Sequence, residues 1–189
     1  MRLVLASANP DKAVEVRALL EAFEIDPRPA DLGDIDETGE TLEDNARLKA
    51  LTVARVAGLP AVSDDTGLEV DALGGAPGVY SARYAGPDAT YADNVARLMT
   101  AMEGVVDRRA RFRTIAMVCW PDGRSVWTEG MVEGRIALVA RGDSGFGYDP
   151  VFEPDEGGGL TFAEMGAAKH DVSHRGRAFR ALAAKLTSL

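Results

Sequence analysis

The stretch AVSDDTGLEVDALGGAPGVYSARYAG, residues 61–86, contains the feature that decides the fold: two adjacent aspartates where a short apolar run stops. Gly58 and Pro60 break the chain before the run, so we expect a buried strand whose end carries Asp64 and Asp65 into a glycine-rich loop. In open α/β sheets, ligands bind beyond such strand ends. The aspartate pair therefore indicates either a metal site or a solvated turn.

Apolar periodicity on both sides of this segment predicts an α/β fold with a mixed sheet. The predicted elements are, in order, strand 2–7, helix 10–23, an edge strand within 25–32, helix 41–57, the strand from Ala61, helix 91–102, strands 111–120 and 124–132, strand 151–152 and two final helices. Pro121-Asp122-Gly123 lies between two of these strands and predicts an antiparallel hairpin. The predicted caps are Asn9 before Pro10, Thr161 with Glu164, and Ser173.

Length and composition restrict the class of protein. A chain of 189 residues with 46% hydrophobic content suits one domain, or one domain with two lobes. A single cysteine, Cys119, excludes a disulfide framework and favours a cytoplasmic setting. We expect no membrane partner, because no apolar stretch approaches the roughly 18 residues that a membrane span requires. The net charge of −9 disfavours a nucleic-acid polymer but allows a small phosphorylated ligand.

A candidate phosphate site lies at the first turn from strand to helix. The segment Ser7-Ala8-Asn9-Pro10-Asp11-Lys12 brings a hydroxyl, an amide and an ammonium to the start of a helix, where backbone amides and the helix dipole favour an anion. The Walker A pattern is absent. The alternative is an ordinary capped helix with a surface lysine.

Carboxylates elsewhere in the chain extend the metal hypothesis. Neighbours in an extended chain point to opposite faces, so Asp64 and Asp65 are expected to have different roles. Magnesium takes one or two protein carboxylates together with substrate phosphates, so one distant partner such as Glu37 would suffice. Lys49, on the second helix, would reach a phosphate or form a surface ion pair. A solvated glutamate at the start of a helix is the alternative for Glu37.

Aromatic and cationic residues in the last third suit a nucleobase. Phe146-Gly147-Tyr148-Asp149 offers a ring for stacking and a carboxylate for hydrogen bonds, or else packs into the core. Lys169, His174 and Arg175 bring donors to the start of the last helix, although a structural hydrogen bond is the default for such a histidine. Two histidines and one cysteine disfavour a zinc site.

Five motifs in order resemble the inosine triphosphate pyrophosphatase family from Leu3 to about Arg180: SANPDK, ETG followed by DNARLKA, SDDTGLEVDALGGAPGVYSARYAG, GFGYDP and SHRG. The resemblance implies a single domain over residues 1–189, with an elongated two-lobed α/β fold, a long twisted mixed sheet, flanking helices and an active-site cleft between the lobes. It also implies a homodimer. The implied activity is magnesium-dependent hydrolysis of ITP, dITP and XTP to monophosphate and pyrophosphate, which removes them from the nucleotide pool.

The resemblance also implies roles for individual residues. It implies that the triphosphate is bound by Ser7, Ala8, Asn9, Pro10, Asp11, Lys12 and Lys49. It implies magnesium ligation by Glu37 and Asp65, with Asp65 as the proton acceptor and Thr66 beside the substrate. We expect Asp65 either to orient the attacking water or to deprotonate it, and orientation is favoured because a metal-bound carboxylate is a weak base. The implied base-side residues are Phe146, Gly147, Tyr148, Asp149, Lys169, His174 and Arg175, with Phe146 as the stacking ring.

Ala8 and Asp64 differ from the other residues in what we expect of them. Ala8 stands where the family commonly has glycine, so we expect Ala8 to accept a backbone geometry often given to glycine. Asp64 is expected to shape the turn or bind outer-shell water.

Two other functional classes stay open. The septum-inhibitor (Maf-like) pyrophosphatases share the general fold and chemistry but prefer other bases, and the FGYD and SHRG motifs argue against them. A non-catalytic nucleotide-binding module would bind without hydrolysis, and the set Lys12, Glu37, Lys49 and Asp65 argues against that class.

Overall fold

The computed structural model describes residues 1–188, whose backbone forms one mixed sheet with flanking helices. The strands of these residues are β1 (Arg2–Leu5), β2 (Glu24–Asp26), β3 (Ala61–Val70), β4 (Pro77–Gly78), β5 (Arg109–Cys119), β6 (Ser125–Ile136) and β7 (Phe152–Pro154). The α-helices are α1 (Pro10–Leu19), α2 (Leu42–Ala57), α3 (Tyr91–Ala101), α4 (Phe162–Met165), α5 (Lys169–Val172) and α6 (His174–Thr187).

The sheet combines parallel and antiparallel neighbours. Its order is β2-β1-β3-β5-β6-β7, and β4 pairs with β3 outside this path. β1 is parallel to β2 and to β3, whereas β4 is antiparallel to β3 and β7 is antiparallel to β6. The predicted α/β class with a mixed sheet is therefore confirmed.

The strand that carries the two aspartates is longer than expected. The sequence predicts that it stops at Asp64 and Asp65, but β3 continues to Val70. The prediction was wrong because a run of polar residues normally ends a buried strand, whereas here both carboxylates have cationic partners that allow burial. Further along, Leu68 and Val70 return to the core. The aspartates are thus strand residues rather than loop residues.

The predicted hairpin is present, with longer strands than expected. The Trp120 N–H donates to the Arg124 carbonyl at 2.9 Å, and the Gly123 N–H donates to the Trp120 carbonyl at 2.9 Å, which closes the turn between β5 and β6. From Thr128 to Ile136, buried and exposed residues alternate along β6, as expected for a strand with one face in the core.

Local capping signals set the helix starts. Asn9 caps α1 and Pro10 is its first residue, as predicted, although α1 ends at Leu19 rather than near residue 23 because the chain must return to pair β2 with β1. Thr41 caps α2, and α2 ends at Ala57 as expected. The predicted capping box of Thr161 with Glu164 opens α4, which is only four residues long.

The chain divides into two compact units. The first unit contains residues 1–65, 114–130 and the chain from Arg175 onward, and the second contains Thr66–Arg113 and Met131–His174. Each unit has its own apolar core. The first core contains Leu3, Leu5, Val16, Leu20, Val62, Ala116, Val118, Phe179 and Leu182. The second core contains Leu68, Val70, Leu98, Met102, Phe112, Val132, Phe152 and Phe162. That these units make one domain stays a prediction.

The first strand is buried on both faces, which fixes the start of α1. Leu3 and Leu5 pack with helices α1 and α6, whereas Val4 packs with Val53 and Ala54 of α2. A strand covered by helices on both faces is typical of a parallel α/β arrangement. The turn after β1 and the helix α2 are therefore both held against buried backbone.

Two further expectations concern the setting of the protein. No α-helix within the described residues is long and apolar enough to cross a membrane. Cys119 is buried as a free thiol, and burial raises the pKa of this thiol, which disfavours a reactive thiolate. The interpretation of Cys119 as a small core residue is therefore supported.

Replacing Gly134 by alanine should lower the free energy of unfolding by about 3 kcal/mol, because the added methyl group overpacks the β6–β7 contact. A Cβ at this position would collide with the Glu153 carbonyl oxygen and lie 2.8 Å from Phe152 Cζ and 2.9 Å from Pro154 Cα. Gly33→Ala is the control, since a Cβ there meets no atom within 4 Å. Urea unfolding followed by circular dichroism measures both. Equal stabilities for the two variants would contradict the predicted β6–β7 packing.

Candidate functional site

The two aspartates of β3 place negative charge inside the first unit. Asp64 is 2% exposed and Asp65 is 5% exposed. Adjacent residues of a strand point to opposite faces, and the two carboxylates accordingly bind different cations. We call the charged residues around them the ion-pair cluster, which consists of Lys12, Glu15, Glu37, Lys49, Asp64, Asp65 and Arg175.

Asp64 binds cations from the first and the last helix. Lys12 Nζ lies 3.3 Å from Asp64 Oδ2, and the Arg175 guanidinium donates to the same oxygen at 3.2 and 3.3 Å. A third nitrogen of Arg175 donates to Glu15 Oε2 at 2.6 Å. Burial tends to raise the pKa of Asp64, but the charges of Lys12 and Arg175 outweigh it and hold that pKa well below its usual range. Asp64 therefore stays ionised.

Asp65 shares one ammonium with Glu37. Lys49 Nζ lies 2.8 Å from Asp65 Oδ1 and 2.6 Å from Glu37 Oε1. Burial raises the pKa of Asp65, and the ammonium of Lys49 only partly offsets that effect because it is shared with a second carboxylate. Burial tends to lower the pKa of Lys49, but the two carboxylates outweigh it and raise that pKa. Lys49 therefore stays protonated, and Asp65 is the better proton acceptor of the two aspartates.

Helix α2 fixes the loop that carries Glu37. Asn45 is fully buried, and its Oδ1 accepts the Gly39 N–H at 2.8 Å. The loop passes so close to the helix that a Cβ on Gly39 would lie 2.6 Å from this oxygen. Since Asn45 and Lys49 are one helical turn apart, the same face of α2 binds the loop at two points.

The turn at residues 7–12 is a well-formed helix cap. Asn9 Oδ1 accepts the N–H groups of Asp11 and Lys12 at 2.9 and 3.2 Å, and Ser7 Oγ accepts the Asn9 N–H at 3.2 Å. Two of the amides expected to face an anion thus donate to Asn9. The expectation for Ala8 was wrong, because no non-glycine residue among the described ones has a positive φ. Ala8 keeps an ordinary backbone conformation.

The donor set of the first unit fits magnesium better than a metal held by protein ligands alone. Within residues 1–188, no three side chains of histidine, cysteine, aspartate or glutamate are grouped so that they could hold an ion. Two carboxylates, from Glu37 and Asp65, meet at the nitrogen of Lys49. Two oxygen donors from protein are what magnesium uses when water and phosphate complete its shell.

The second unit contains a smaller polar group, the loop cluster, which consists of Phe146, Asp149 and Lys169. Asp149 Oδ2 accepts from Lys169 Nζ at 2.7 Å and from the Phe146 N–H at 2.9 Å. Lys169 Nζ also lies 5.1 Å from the centre of the Phe146 ring. A Cβ on Gly145 would collide with the Asp149 carboxylate, so the loop closes tightly around that group. Asp149 thereby fixes both the ring and the ammonium.

Two base-side candidates pack mainly against protein. Tyr148 is 5% exposed and donates its hydroxyl to the Ser81 carbonyl at 2.9 Å, and burial raises the pKa of this phenol. The His174 ring is 3% exposed and stacks on Phe112, with ring centres 4.5 Å apart. Phe146 is half-buried and contacts the Tyr91 ring at 5.7 Å. Phe146 is thus the most accessible of the three rings.

Two further predicted site residues, Thr66 and His174, are sequence neighbours of residues in the ion-pair cluster. Asp65 of the ion-pair cluster precedes Thr66, which is half-buried in β3 at the start of the second unit. His174, which stacks on Phe112, precedes Arg175. Of the predicted site residues, the ion-pair cluster contains Lys12, Glu37, Lys49, Asp65 and Arg175, and the loop cluster contains Phe146, Asp149 and Lys169. The roles of all the site residues stay predictions.

Sequence reasoning missed two residues of the site. Glu15 binds Arg175 across 160 positions of sequence, and no local pattern connects them. Asn45 had a signal, because it lies four residues before Lys49 and the same helix face must meet the same loop.

The sequence matches a known family over almost its whole length. A profile described as the Ham1 family matches residues 3–185. A protein of Syntrophobacter fumaroxidans named dITP/XTP pyrophosphatase is 51% identical over 181 residues, which cover 93% of this chain and 78% of the relative. A protein of the same name from Caulobacter vibrioides is 47% identical and covers 98% of this chain and 97% of its own.

Solved structures give the same result. A HAM1 protein from Coxiella burnetii superposes with a TM-score of 0.91 at 38% identity, and each chain is fully covered. A nucleoside-triphosphatase, dITP/XTP pyrophosphatase, from Mycobacterium abscessus gives a TM-score of 0.76 at 40% identity, covering 96% of this chain and 97% of the other.

Replacing Asp64 by asparagine should lower the free energy of unfolding at pH 7 by about 3–5 kcal/mol, because Lys12 and Arg175 lose a buried ionised partner. The pKa of Asp64 is lowered in the folded protein, so its contribution is complete above its unfolded pKa of about 4 and is lost as pH falls through the lower folded value. Urea unfolding should show a nearly constant difference between pH 7 and pH 5, and a difference that shrinks as pH falls from about 4 towards 2.

Asp122→Asn is the matched control, because Asp122 forms an ion pair with Arg124 on the exposed hairpin turn. Its effect on stability should be much smaller than that of Asp64→Asn. A difference between wild type and Asp64→Asn that is absent, or that grows as pH falls, would refute the buried ion pair.

Proposed function

Because the chain belongs to the Ham1 family, we propose that it hydrolyses non-canonical purine nucleoside triphosphates, dITP, XTP and ITP, to the monophosphate and pyrophosphate. The names of its relatives support this activity. One observation carries the assignment of the chemistry to the ion-pair cluster: Lys49 lies between the carboxylates of Glu37 and Asp65. In such a group, a triphosphate can replace the carboxylates as the partner of the ammonium. A divalent cation can replace the ammonium as the partner of the carboxylates.

Binding of the phosphates falls to the turn 7–12 and to the lysines of the ion-pair cluster. Lys12 and Lys49 each already bind carboxylate oxygens, so each ammonium is positioned before a phosphate arrives. A phosphate oxygen offers either ammonium the same kind of charge-assisted hydrogen bond. Ser7, Ala8, Asn9, Pro10 and Asp11 would contribute the surrounding hydroxyl and backbone groups.

Glu37 and Asp65 are the proposed magnesium ligands. Their oxygens meet at one point, which fits a cation that takes one or two protein carboxylates. Glu37 and Asp65 would hold the magnesium ion, which would supply positive charge near the departing pyrophosphate and the attacking water. The donor set and the family resemblance both support magnesium at this position.

Asp65 is the proposed proton acceptor. The oxygen of a water molecule would form a bond to the α phosphorus. The bond between the α phosphorus and the oxygen that bridges the α and β phosphates would break, and pyrophosphate would leave with the electron pair. The proton of the water would pass to the Asp65 carboxylate, which lies beside Lys49 in the ion-pair cluster. Lys12 and Lys49 offset the charge that gathers on the leaving group. Thr66, the next residue, would contact the substrate.

Recognition of the base falls to the loop cluster. Phe146 would stack on the purine, and Asp149 holds Phe146 and Lys169 in place. A hydrogen-bond donor that points at the 6-oxo group of the purine would face the 6-amino group of adenine, which is also a donor. The resulting unpaired donors can favour 6-oxopurines over adenine by about 10⁴-fold. His174, Tyr148 and Gly147 complete the base-side group. Arg175, bound to Asp64 and Glu15, stays a proposed nucleotide contact.

The proposed enzyme is a homodimer that acts in the cytoplasm. The family resemblance supports the dimer. The acidic net charge of −9 favours a small nucleotide over a nucleic-acid polymer as partner.

Asp65→Asn should reduce turnover of dITP by about 10²–10⁴-fold, because the variant has no proton acceptor at that position. Pyrophosphate release from dITP, XTP, ITP, dATP, dGTP and dTTP measures both the reaction and the choice of base. Asp122→Asn, which changes an exposed ion pair, should keep wild-type turnover. A folded Asp65→Asn variant with normal rates would exclude Asp65 as acceptor. Preference for other bases would favour a Maf-like enzyme, and no release at all would favour a binding module.

Phe146→Ala should lower kcat/KM for dITP by about 5–100-fold, because stacking on an aromatic ring contributes about 1–3 kcal/mol per base. Phe146→Tyr keeps the ring and should stay close to wild type. Inhibition by inorganic tripolyphosphate, which has no base, should be the same in all three proteins. If Phe146→Ala weakens tripolyphosphate as much as dITP, the ring does not recognise the base.

A further inference from the structure

The ammonium of Lys49 has two carboxylates as partners within hydrogen-bonding distance. Its Nζ lies 2.6 Å from Glu37 Oε1 and 2.8 Å from Asp65 Oδ1, and the residue is 9% exposed. Helix α2, which carries Lys49, is packed through Val53 and Ala54 against buried strands. The stem of Lys49 therefore starts from a fixed point, and its charged end lies between the two groups.

An ammonium and a divalent cation compete for such a pair of carboxylates. Magnesium needs ligand oxygens at about 2.0–2.1 Å, and a hydrogen-bonded ammonium uses lone pairs of the same groups. In addition, two cations placed against Glu37 and Asp65 repel each other where little water screens them. Metal binding to Glu37 and Asp65 is therefore opposed as long as Lys49 keeps both bonds.

A triphosphate changes this balance. Lysine has a compact charge on a flexible four-carbon stem and can exchange one oxygen partner for another without moving its helix. The N–H groups of Lys49, which now donate to Glu37 and Asp65, would donate to phosphate oxygens instead. The carboxylates would then be available to the metal.

We propose that Lys49 couples the two ligands of the site: it hinders metal binding to the nucleotide-free protein, and it favours metal binding once a triphosphate has drawn it from Glu37 and Asp65. This inference rests on the proposed function for the assignment of those two carboxylates to magnesium. By thermodynamic linkage, bound metal must also favour the contact between Lys49 and phosphate. Metal and nucleotide accordingly bind as a cooperative pair.

The test uses Lys49→Met, with a stem of similar length and no charge. Titration with Mn²⁺, followed by electron paramagnetic resonance on nucleotide-free protein, should show binding about tenfold tighter than in wild type. Affinity for a non-hydrolysable α,β-methylene analogue of dITP, measured by calorimetry with chelator and without metal, should instead fall about tenfold. Opposite changes for the two ligands distinguish exchange from damage to the fold, which would weaken both.

Arg55→Met is the charge-matched control, because Arg55 is exposed on the same helix. It should leave both affinities and the rate of dITP hydrolysis unchanged. If Lys49→Met binds Mn²⁺ no more tightly than wild type, or no more tightly than Arg55→Met, the coupling role of Lys49 is refuted.

A double variant separates this inference from the proposed function. Adding Glu37→Gln to Lys49→Met should weaken Mn²⁺ binding, since one carboxylate is lost. If it does, and Lys49→Met alone still fails to tighten binding, only the coupling is wrong. If the added Glu37→Gln has no effect on Mn²⁺, the metal site itself is misassigned, and the coupling falls with it.

Discussion

A buried carboxylate must have a cation beside it, and this constraint organises the first unit around β3. Asp64 and Asp65 are both buried in the strand, so the strand can continue only because lysine and arginine side chains from three helices reach it. Helix α1 brings Lys12, helix α2 brings Lys49 and helix α6 brings Arg175. The same pairs that permit burial hold the cations where a triphosphate would need them.

The two aspartates have different numbers of cations beside them, and this difference separates their roles. Asp64 faces two cations, which lower its pKa, so it is a permanent anion suited to positioning. Asp65 shares one cation with Glu37, and its pKa is raised, so it is suited to accept a proton. A shared ammonium is also the more easily exchanged partner. The proton transfer is therefore expected on the face of β3 that carries Asp65, where two carboxylates share one ammonium.

Local signals in the sequence predicted most of the elements, whereas distant contacts did not follow from it. The Asn9 cap, the capping box of Thr161 and the turn at residues 121–123 depend on neighbouring residues, and each is present. The length of β3 depends on ion pairs with α1, α2 and α6, so the expected end at Asp65 was wrong. The Glu15–Arg175 pair joins positions 160 residues apart and has no local signature. Motif order identified the family, but only the structure showed which charges meet.

The exchange of partners at Lys49 is the central step, and a crystal structure tests it most directly. Crystals should contain the wild-type protein with Mn²⁺ and the α,β-methylene analogue of dITP, and anomalous scattering should locate the metal. We expect Mn²⁺ to be bound by Glu37 and Asp65, and Lys49 Nζ to have moved to a phosphate oxygen. Lys49 still bonded to both carboxylates, with Mn²⁺ bound elsewhere, would contradict this exchange.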